Sequence, residues 1–230
     1  LAEGPQSVSE AVGSPGVLRE VFYTQAAATK HADLLTAARE AGAEVHSATD
    51  AIVESLAQTI TPQGIIAVCN FIDVPLAQSV DANSRLISIL ANVRDPGNAG
   101  TILRSADAFG MDGVITSPGS VDMFSPKVVR STAGSLWHIP VFESVGLAEI
   151  LKLDLQAISL GAEGEKPLSD FEPSGDVVAI FGNEARGLSS IESMNGVEIV
   201  NIPMPGDAES LNLSAAATIV MYHLSLLPAK

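Results

Sequence analysis

The chain is poor in several things at once. One cysteine among 230 residues, Cys69, leaves no partner for an internal disulfide and excludes a cysteine-rich zinc site. The four histidines, His31, His46, His138 and His223, lie far apart with no metal-ligand spacing, so no metal is expected. No apolar run reaches the roughly 18 residues of a membrane span, and no signal peptide precedes the first element, which makes the cytoplasm the expected compartment. Basic residues are scarce: 12 Lys and Arg against 27 Asp and Glu give a net charge of −15. That balance argues against broad, non-specific nucleic-acid binding, because counterion release needs clustered cations. The chain begins Leu1-Ala2-Glu3-Gly4 without a methionine, as a trimmed chain does. Any arm ahead of it would carry charge not counted in the −15. Familiar catalytic signatures are also missing. There is no G-x-G-x-x-G, no G-K-[ST], no G-x-S-x-G elbow, no Cys/His pair and no carboxylate dyad at useful spacing.

What is present is an ordinary globular composition, 47% apolar and 17% charged, long enough for one large domain or two small ones. Short β-rich runs alternate with helical stretches, the signature of an α/β fold. In the front part, Gln6–Val12 reads as a helix, Glu20–Tyr23 as a strand, Lys30–Ala41 as a helix closed by Gly42, and Ile65–Val68 as a strand. Residues 73–84 are polar, without a clear period, and read as a linker between a domain at 1–72 and one at 85–230. In the second part Leu86–Val93 is almost continuously apolar, as buried parallel strands are. Asn98–Phe109 places Ala99, Ile102, Leu103, Ala106 and Phe109 on one helical face. Gly113–Thr116, Ile139–Phe142, Leu155–Leu160, Val177–Phe181 and Val197–Ile202 are strand candidates, and Ser214–Leu227 is an apolar closing helix.

Charge is unevenly spread. Residues 94–137 hold four bases (Arg94, Arg104, Lys127, Arg130) and four acids, so the other 186 residues carry the whole −15. An anion would meet least repulsion in this window. On charge alone, scattered solvated bases are the better reading. Three segments stand out further. Asp95-Pro96-Gly97-Asn98 follows a buried strand and opens a helix that carries Arg104 six residues beyond Asn98, about 9 Å along the axis. Asn98 as a helix cap, with Arg104 paired to Asp107, is the plainer alternative. Gly182-Asn183-Glu184-Ala185-Arg186-Gly187 follows the strand Val177–Phe181; it is either a close backbone approach to a ligand or a strand-to-helix turn. Ile202-Pro203-Met204-Pro205-Gly206, then Ser210-Leu211-Asn212-Leu213-Ser214, joins a strand to a small-residue helix; Ser210, Asn212 and Ser214 could all be caps.

Taken together and in this order, the three segments resemble the Asn…Arg, G-x-E-x-x-G and I-P-M-x-G…S-L-N-x-S motifs of the SpoU branch of the SPOUT superfamily, the TrmH-like RNA ribose 2′-O-methyltransferases. Lys127-Val128-Val129-Arg130-Ser131-Thr132-Ala133-Gly134-Ser135 is similar to that family's basic-Ser/Ala-Gly segment. The likeness covers about residues 85–227. Glu3-Gly4-Pro5-Gln6-Ser7-Val8 and Gln63-Gly64-Ile65-Ile66-Ala67 resemble the small, ribosomal-protein-like RNA-binding domain that many members carry in front. The acidity departs from what an RNA enzyme usually shows.

The resemblance implies an α/β fold with a parallel sheet and a C-terminal deep trefoil knot, preceded by a small α/β RNA-binding domain. It implies S-adenosylmethionine as cofactor, no metal, and a ribose 2′-hydroxyl as acceptor. By motif position, Gly182, Glu184, Gly187, Ile202, Met204, Leu211 and Leu213 would contact the cofactor. Arg104, almost always protonated, would stabilise a developing alkoxide or grip the adjacent phosphate, with Asn98 orienting it and Ser210 and Asn212 bonding at the same centre. Glu184 would support the loop or a dimer contact. RNA would meet Arg94, Lys127 and Arg130, and in front Arg19, Lys30 and Arg39. The implied assembly is a homodimer with the site at or across its interface. The closing helix, with Ile219, Val220, Leu224 and Leu227, suits burial in a dimer or in its own core. Ribosomal RNA is favoured over transfer RNA by the two-domain layout. The alternatives are a transfer-RNA enzyme, a non-catalytic RNA-binding protein keeping the fold, and a small-molecule-binding α/β protein.

Overall fold

The computed structural model describes residues 1–74, 76, 86–150, 152, 155–161, 164, 166–182 and 196–227. These form two compact units, one of 1–72 with 123–138, the other of 73–122 with 139–230. Residues 123–138, assigned to the second domain by sequence, pack with the first unit.

The first unit holds β1 (Ala2–Glu3), β2 (Leu18–Tyr23), β3 (Glu44–Ser47) and β4 (Ile65–Cys69) in the order β1-β4-β2-β3. β4 runs antiparallel to β1 and β2, whereas β2 and β3 are parallel. Helices α1 (Pro5–Gly13), α2 (Gln25–Lys30), α3 (Ala32–Glu40) and α4 (Asp50–Leu56) belong to it, as does α6 (Pro126–Ser131) from later in the chain; α5 lies in the second unit. The helix expected over Lys30–Ala41 is α3, Ala32–Glu40; the short α2 precedes it, and the two meet at His31, whose φ of −128° and ψ of 36° leave the helical region. A continuous helix would set His31 four residues from both Ala27 and Leu35, on the buried side. The break frees an imidazole from that position. β3 and α4 have no strong apolar run and were not expected from the sequence; α4 begins at Thr49, whose side chain accepts the Ile52 N–H. α6 is tied to β1 by an ion pair: Arg130 Nη1 donates to Glu3 Oε1 at 2.9 Å, and the Gln58 N–H donates to the same oxygen at 3.0 Å. Burial pushes the Cys69 thiol up to about 11, so it stays protonated at neutral pH.

The second unit is built on a seven-stranded, all-parallel sheet. Its strands are β5 (Leu86–Ala91), β6 (Gly113–Thr116), β7 (Val141–Phe142), β8 (Gln156–Leu160), β9 (Lys166–Pro167), β10 (Val177–Gly182) and β11 (Val197–Asn201), in the order β7-β6-β5-β10-β8-β11-β9. β5 and β10 pair over their full lengths, and nearly every residue of both is buried, which is why they read as continuous apolar runs. The strand order reverses at β5, the position in such sheets where a crevice opens beyond the carboxyl ends. α5 (Pro96–Ala108) buries Ala99, Ile102, Leu103 and Ala106. It packs on α8 (Leu213–Ser225), which buries Ala217, Val220, Met221 and Leu224 and follows the one-turn α7 (Leu147–Ile150) in helix order. The Ser105 and Thr218 hydroxyls share a hydrogen bond of 2.8 Å across the two helices, and the buried Ser88 of β5 donates to Met221 Sδ at 3.3 Å. Among the described residues no helix is long and apolar enough to cross a membrane.

Candidate active site

The carboxyl ends of β5, β8, β10 and β11 open onto one cavity of about 780 Å³. Its walls come from the turn after β5 (Asn92–Asp95 and Asn98), the end of β8 (Leu160, Gly161), the end of β10 (Ile180–Gly182), the exit of β11 (Asn201–Met204) and the approach to α8 (Ala208–Leu211, Leu213, Ala216). Its size falls in the range of small-molecule sites, about 300–1,000 Å³.

Each wall has a local cause. β5 ends at Ala91 because Asn92 turns into the left-handed region at φ 54°, and its N–H donates to Ser117 Oγ at 2.9 Å. Pro96 then starts α5, and the cap is Asp95, whose Oδ1 accepts the Asn98 N–H at 2.7 Å. The alternative reading of Asn98 as the helix cap does not hold: Asp95 is the cap, and Asn98 lines the cavity. Asn212 does act as a cap, accepting the Ser214 N–H at 2.9 Å and the Ser214 hydroxyl at 2.6 Å. It lies outside the cavity lining, whereas Ser210 lines it.

Of the residues assigned to the cofactor by motif, Gly182, Ile202, Met204, Leu211 and Leu213 all line the cavity, and Glu184 and Gly187 lie outside the described residues. Arg104 is exposed on α5 and does not line it. Six residues turn the helix 600°, so Arg104 points about 120° away from Asn98. Arg94 is exposed at the cavity, its Nε donating to Asn92 Oδ1 at 3.2 Å. Lys127 is exposed on α6, and Arg130 is engaged by Glu3. In the front unit Arg19, Lys30 and Arg39 are exposed; Lys30 also edges a second cavity of about 400 Å³ with Thr24, Asp50, Glu54 and Gln63. Sequence reasoning missed Leu160, Gly161, Asn201 and Asn92. Gly161 and Asn201 flank strand ends with no motif of their own, and the signal available for Asn92 was an asparagine directly after an apolar run.

The lining suits a nucleoside-type ligand. Leu160, Ile180, Phe181, Ile202, Leu211 and Leu213 offer apolar surface to a flat ring, and Asn92, Asn98, Asn201 and Ser210 offer hydrogen bonds near it. Residues present therefore fit S-adenosylmethionine: an apolar slot for adenine, polar groups for ribose and amino acid. No group of three or more His, Cys, Asp or Glu able to hold a metal ion occurs among the described residues.

An all-parallel sheet with a mixed polar and apolar cavity at its reversal point defines an α/β protein of the nucleotide- or cofactor-binding class. Comparison with known proteins narrows this. Residues 85–222 match the SpoU rRNA methylase family, and residues 1–74 match the RNA 2′-O ribose methyltransferase substrate-binding domain. The 23S rRNA (guanosine(2553)-2′-O)-methyltransferase RlmP of Bacillus subtilis is 31% identical over 227 residues, covering 97% of this chain and 87% of that protein. The SpoU methyltransferase AviRb of Streptomyces viridochromogenes superposes with a TM-score of 0.83 at 27% identity, over 97% of this chain and 87% of that one. An AdoMet-bound rRNA methyltransferase of Sinorhizobium meliloti gives 0.81 at 26% identity, over 99% and 87%. The chain belongs to the SpoU rRNA methylase family.

Proposed function

We propose that this chain transfers a methyl group from S-adenosylmethionine to a ribose 2′-hydroxyl of ribosomal RNA. One observation carries the reading: the three sequence segments that resemble the methyltransferase motifs, far apart in the chain, supply three walls of one cavity at the sheet's reversal point. The bound cofactor supplies an electrophilic methyl group. The residues of this chain do the rest. Main-chain and apolar groups of Gly182, Ile202, Met204, Leu211 and Leu213 hold the adenosine, and the motif adds Glu184 and Gly187 to the cofactor's contacts. Ser210 and Asn98 orient the acceptor ribose, and Asn212 fixes the start of α8 beside them. Arg104 would stabilise negative charge on the 2′-oxygen as its proton passes to solvent water, a role for a group that is almost always protonated. No metal takes part.

Arg104 lies outside the lining of its own chain's cavity, so this role needs a second copy. The supporting observation is the outer face of α8 and its C-cap: Ile219, Tyr222 and Leu226 are 39%, 53% and 64% exposed, with the Tyr222 ring 5.6 Å from that of Phe109, an apolar stripe for one chain to leave open. We read it as the homodimer face. Membership of the family also implies a C-terminal trefoil knot. The front domain, 1–72 with 123–138 packed on it, binds RNA through Arg19, Lys30, Arg39 and Lys127, and the rest of 85–230 is the methyltransferase domain, with Arg94 on the RNA. Arg130, engaged by Glu3, contributes by holding α6. The large-subunit RNA named for the Bacillus relative is the first target to try, and the cytoplasm, where ribosomes are assembled, is the compartment.

The test is direct. Calorimetry with S-adenosylmethionine and S-adenosylhomocysteine should show binding to the wild type, and Gly182→Val should abolish it while the circular dichroism spectrum is kept. Mapping of 2′-O-methylation across total RNA, with and without the gene, should show one ribosomal position lost. A wild type that binds neither ligand, with RNA present or absent, would refute the reading.

A further inference from the structure

We infer that Asn92 is a positioning residue for the transfer: it holds Arg94 so that the guanidinium meets a backbone phosphate of the RNA beside the reacting ribose. The inference rests on the methyltransferase reading above and adds to it a residue that no motif marks.

Asn92 is one of three non-glycine residues with positive φ among those described, at 54°. Asparagine tolerates this region better than most residues, and such conformations concentrate at functional sites when the surroundings enforce them. The surroundings here are specific. The Asn92 N–H donates to Ser117 Oγ at 2.9 Å. Ser117 is itself fixed, its N–H donating to Leu90 O at 3.0 Å and its hydroxyl lying 3.4 Å from Ser120 Oγ. Ser120 Oγ donates to Leu90 O at 3.0 Å, and the Val121 N–H donates to Val93 O at 2.8 Å. The turn after β5 is therefore stitched at both ends to the turn after β6. Gly119, at φ 85°, lies on the turn after β6, and a Cβ there would make ordinary contact with Asn92 Oδ1 at 3.5 Å.

This frame has one product at the cavity. Asn92 Oδ1 accepts Arg94 Nε–H at 3.2 Å, and both residues line the cavity with Asn98 and Ser210. Fixing Nε leaves the two Nη groups directed away from Asn92, the two-pronged arrangement that matches a phosphate's pair of free oxygens. The neighbouring Asp95 caps α5, its Oδ1 accepting the Asn98 N–H, and no ion pair between Arg94 and Asp95 occurs among the described residues. Arg94 is exposed whereas the β10 end at Phe181 and Gly182 is buried, so the guanidinium stands at the open side of the cavity, where a polymer can reach it. In a chain of net charge −15, one cation held in place at that mouth is what an RNA phosphate would find.

The test uses the full chain and an unmodified 23S rRNA transcript, with RNA affinity measured across a salt series, S-adenosylmethionine affinity by calorimetry, and KM and kcat for methyl transfer. Arg94→Ala should weaken RNA binding about tenfold and flatten the slope of log K against log salt by about 0.7–0.9, the loss of one phosphate contact. Cofactor affinity should stay within twofold. Arg94→Lys should rescue in part, since a point charge lacks the fork. Asn92→Gly keeps the left-handed backbone without steric cost and removes the side-chain oxygen. It should raise the KM for RNA with kcat nearly kept, and the double variant with Arg94→Ala should bind no worse than Arg94→Ala alone. Additive losses, or an Asn92→Gly variant that binds RNA normally, would overturn the positioning role. Loss of cofactor binding with RNA affinity intact would move Arg94 to the cofactor's carboxylate and overturn the phosphate contact. A wild type that binds the transcript with an Arg94-dependent slope but transfers no methyl group would sink the methyltransferase reading and leave the contact standing. A wild type with no RNA affinity would sink both.

Discussion

Arg104 carries the sharpest expectation at the residue scale. It stands on the exposed side of α5 with Thr101 and Ala108, away from the cavity its own chain forms. If it stabilises charge at a partner's ribose, Arg104→Ala should lower the single-turnover rate of methyl transfer by a factor on the order of 100 or more. S-adenosylmethionine affinity should barely change, and Arg104→Lys should recover only part of the rate. A merely solvated arginine predicts full activity and a stability change under about 0.5 kcal/mol, so rate and denaturation measured on one sample separate the two. The neighbouring cap shows what residue-level reading can miss. Asp95 and Asn98 are both good caps, three residues apart. Pro96 decides between them, because proline favours the first helical position and so places the cap one residue earlier. The left-handed turn at Asn92 was beyond such reasoning, since asparagine occupies many loop conformations and only the hydrogen bonds from the β6 turn select this one.

At the element scale α8 has two apolar faces with different fates. Ala217, Val220, Met221 and Leu224 are buried on α5 and the sheet, while Ile219, Tyr222 and Leu226 remain open, so the helix serves its own core on one side only. The open residues are spaced as successive turns of one stripe, the arrangement that buries against another helix or a second copy. Changing Ile219 and Tyr222 together to Asp should leave helical content intact and shift the protein to monomer in analytical ultracentrifugation. If the site is completed across the interface, the same variant should lose methyl transfer while retaining S-adenosylmethionine. A monomeric wild type, or a monomeric variant with full activity, would remove the shared-site argument. α4 illustrates the converse. Its exposed Ile52 and single buried Val53 give it no stripe to read, and it is held by the Thr49 cap and by packing on β4.

At the scale of the whole molecule, charge limits how RNA can be held. With net charge −15 and the bases dispersed, the chain cannot neutralise many phosphates at once. RNA affinity should fall with salt along a shallow slope, with shape supplying much of the recognition. A slope implying about eight or more phosphate contacts would contradict this and point to basic residues beyond those counted. The division of the chain bears on the same surface. Lys127 and Arg130 belong by sequence to the methyltransferase part, yet residues 123–138 pack with the front unit, where the Arg130–Glu3 pair ties α6 to β1. Any RNA contact made by Lys127 is thus made from the front unit.

The sequence by itself determined the α/β class, the buried strands β5 and β10, the stripe of α5 and the three segments that gather at the cavity. Those features rest on local signals: apolar continuity over a strand, helical spacing, and glycine, proline and asparagine at turns, all written in neighbouring residues. Tertiary structure decided what depends on residues far apart. β10 inserts between β5 and β8, which sets Gly182 next to the end of β5, on the cavity that Ile202 also lines; residues 123–138 pack with the front unit; and Arg104 is left facing outward while Arg94, held by Asn92, faces the cavity. Strand order and unit membership are set by which apolar faces bury most together, a sum over the whole chain that no local pattern encodes.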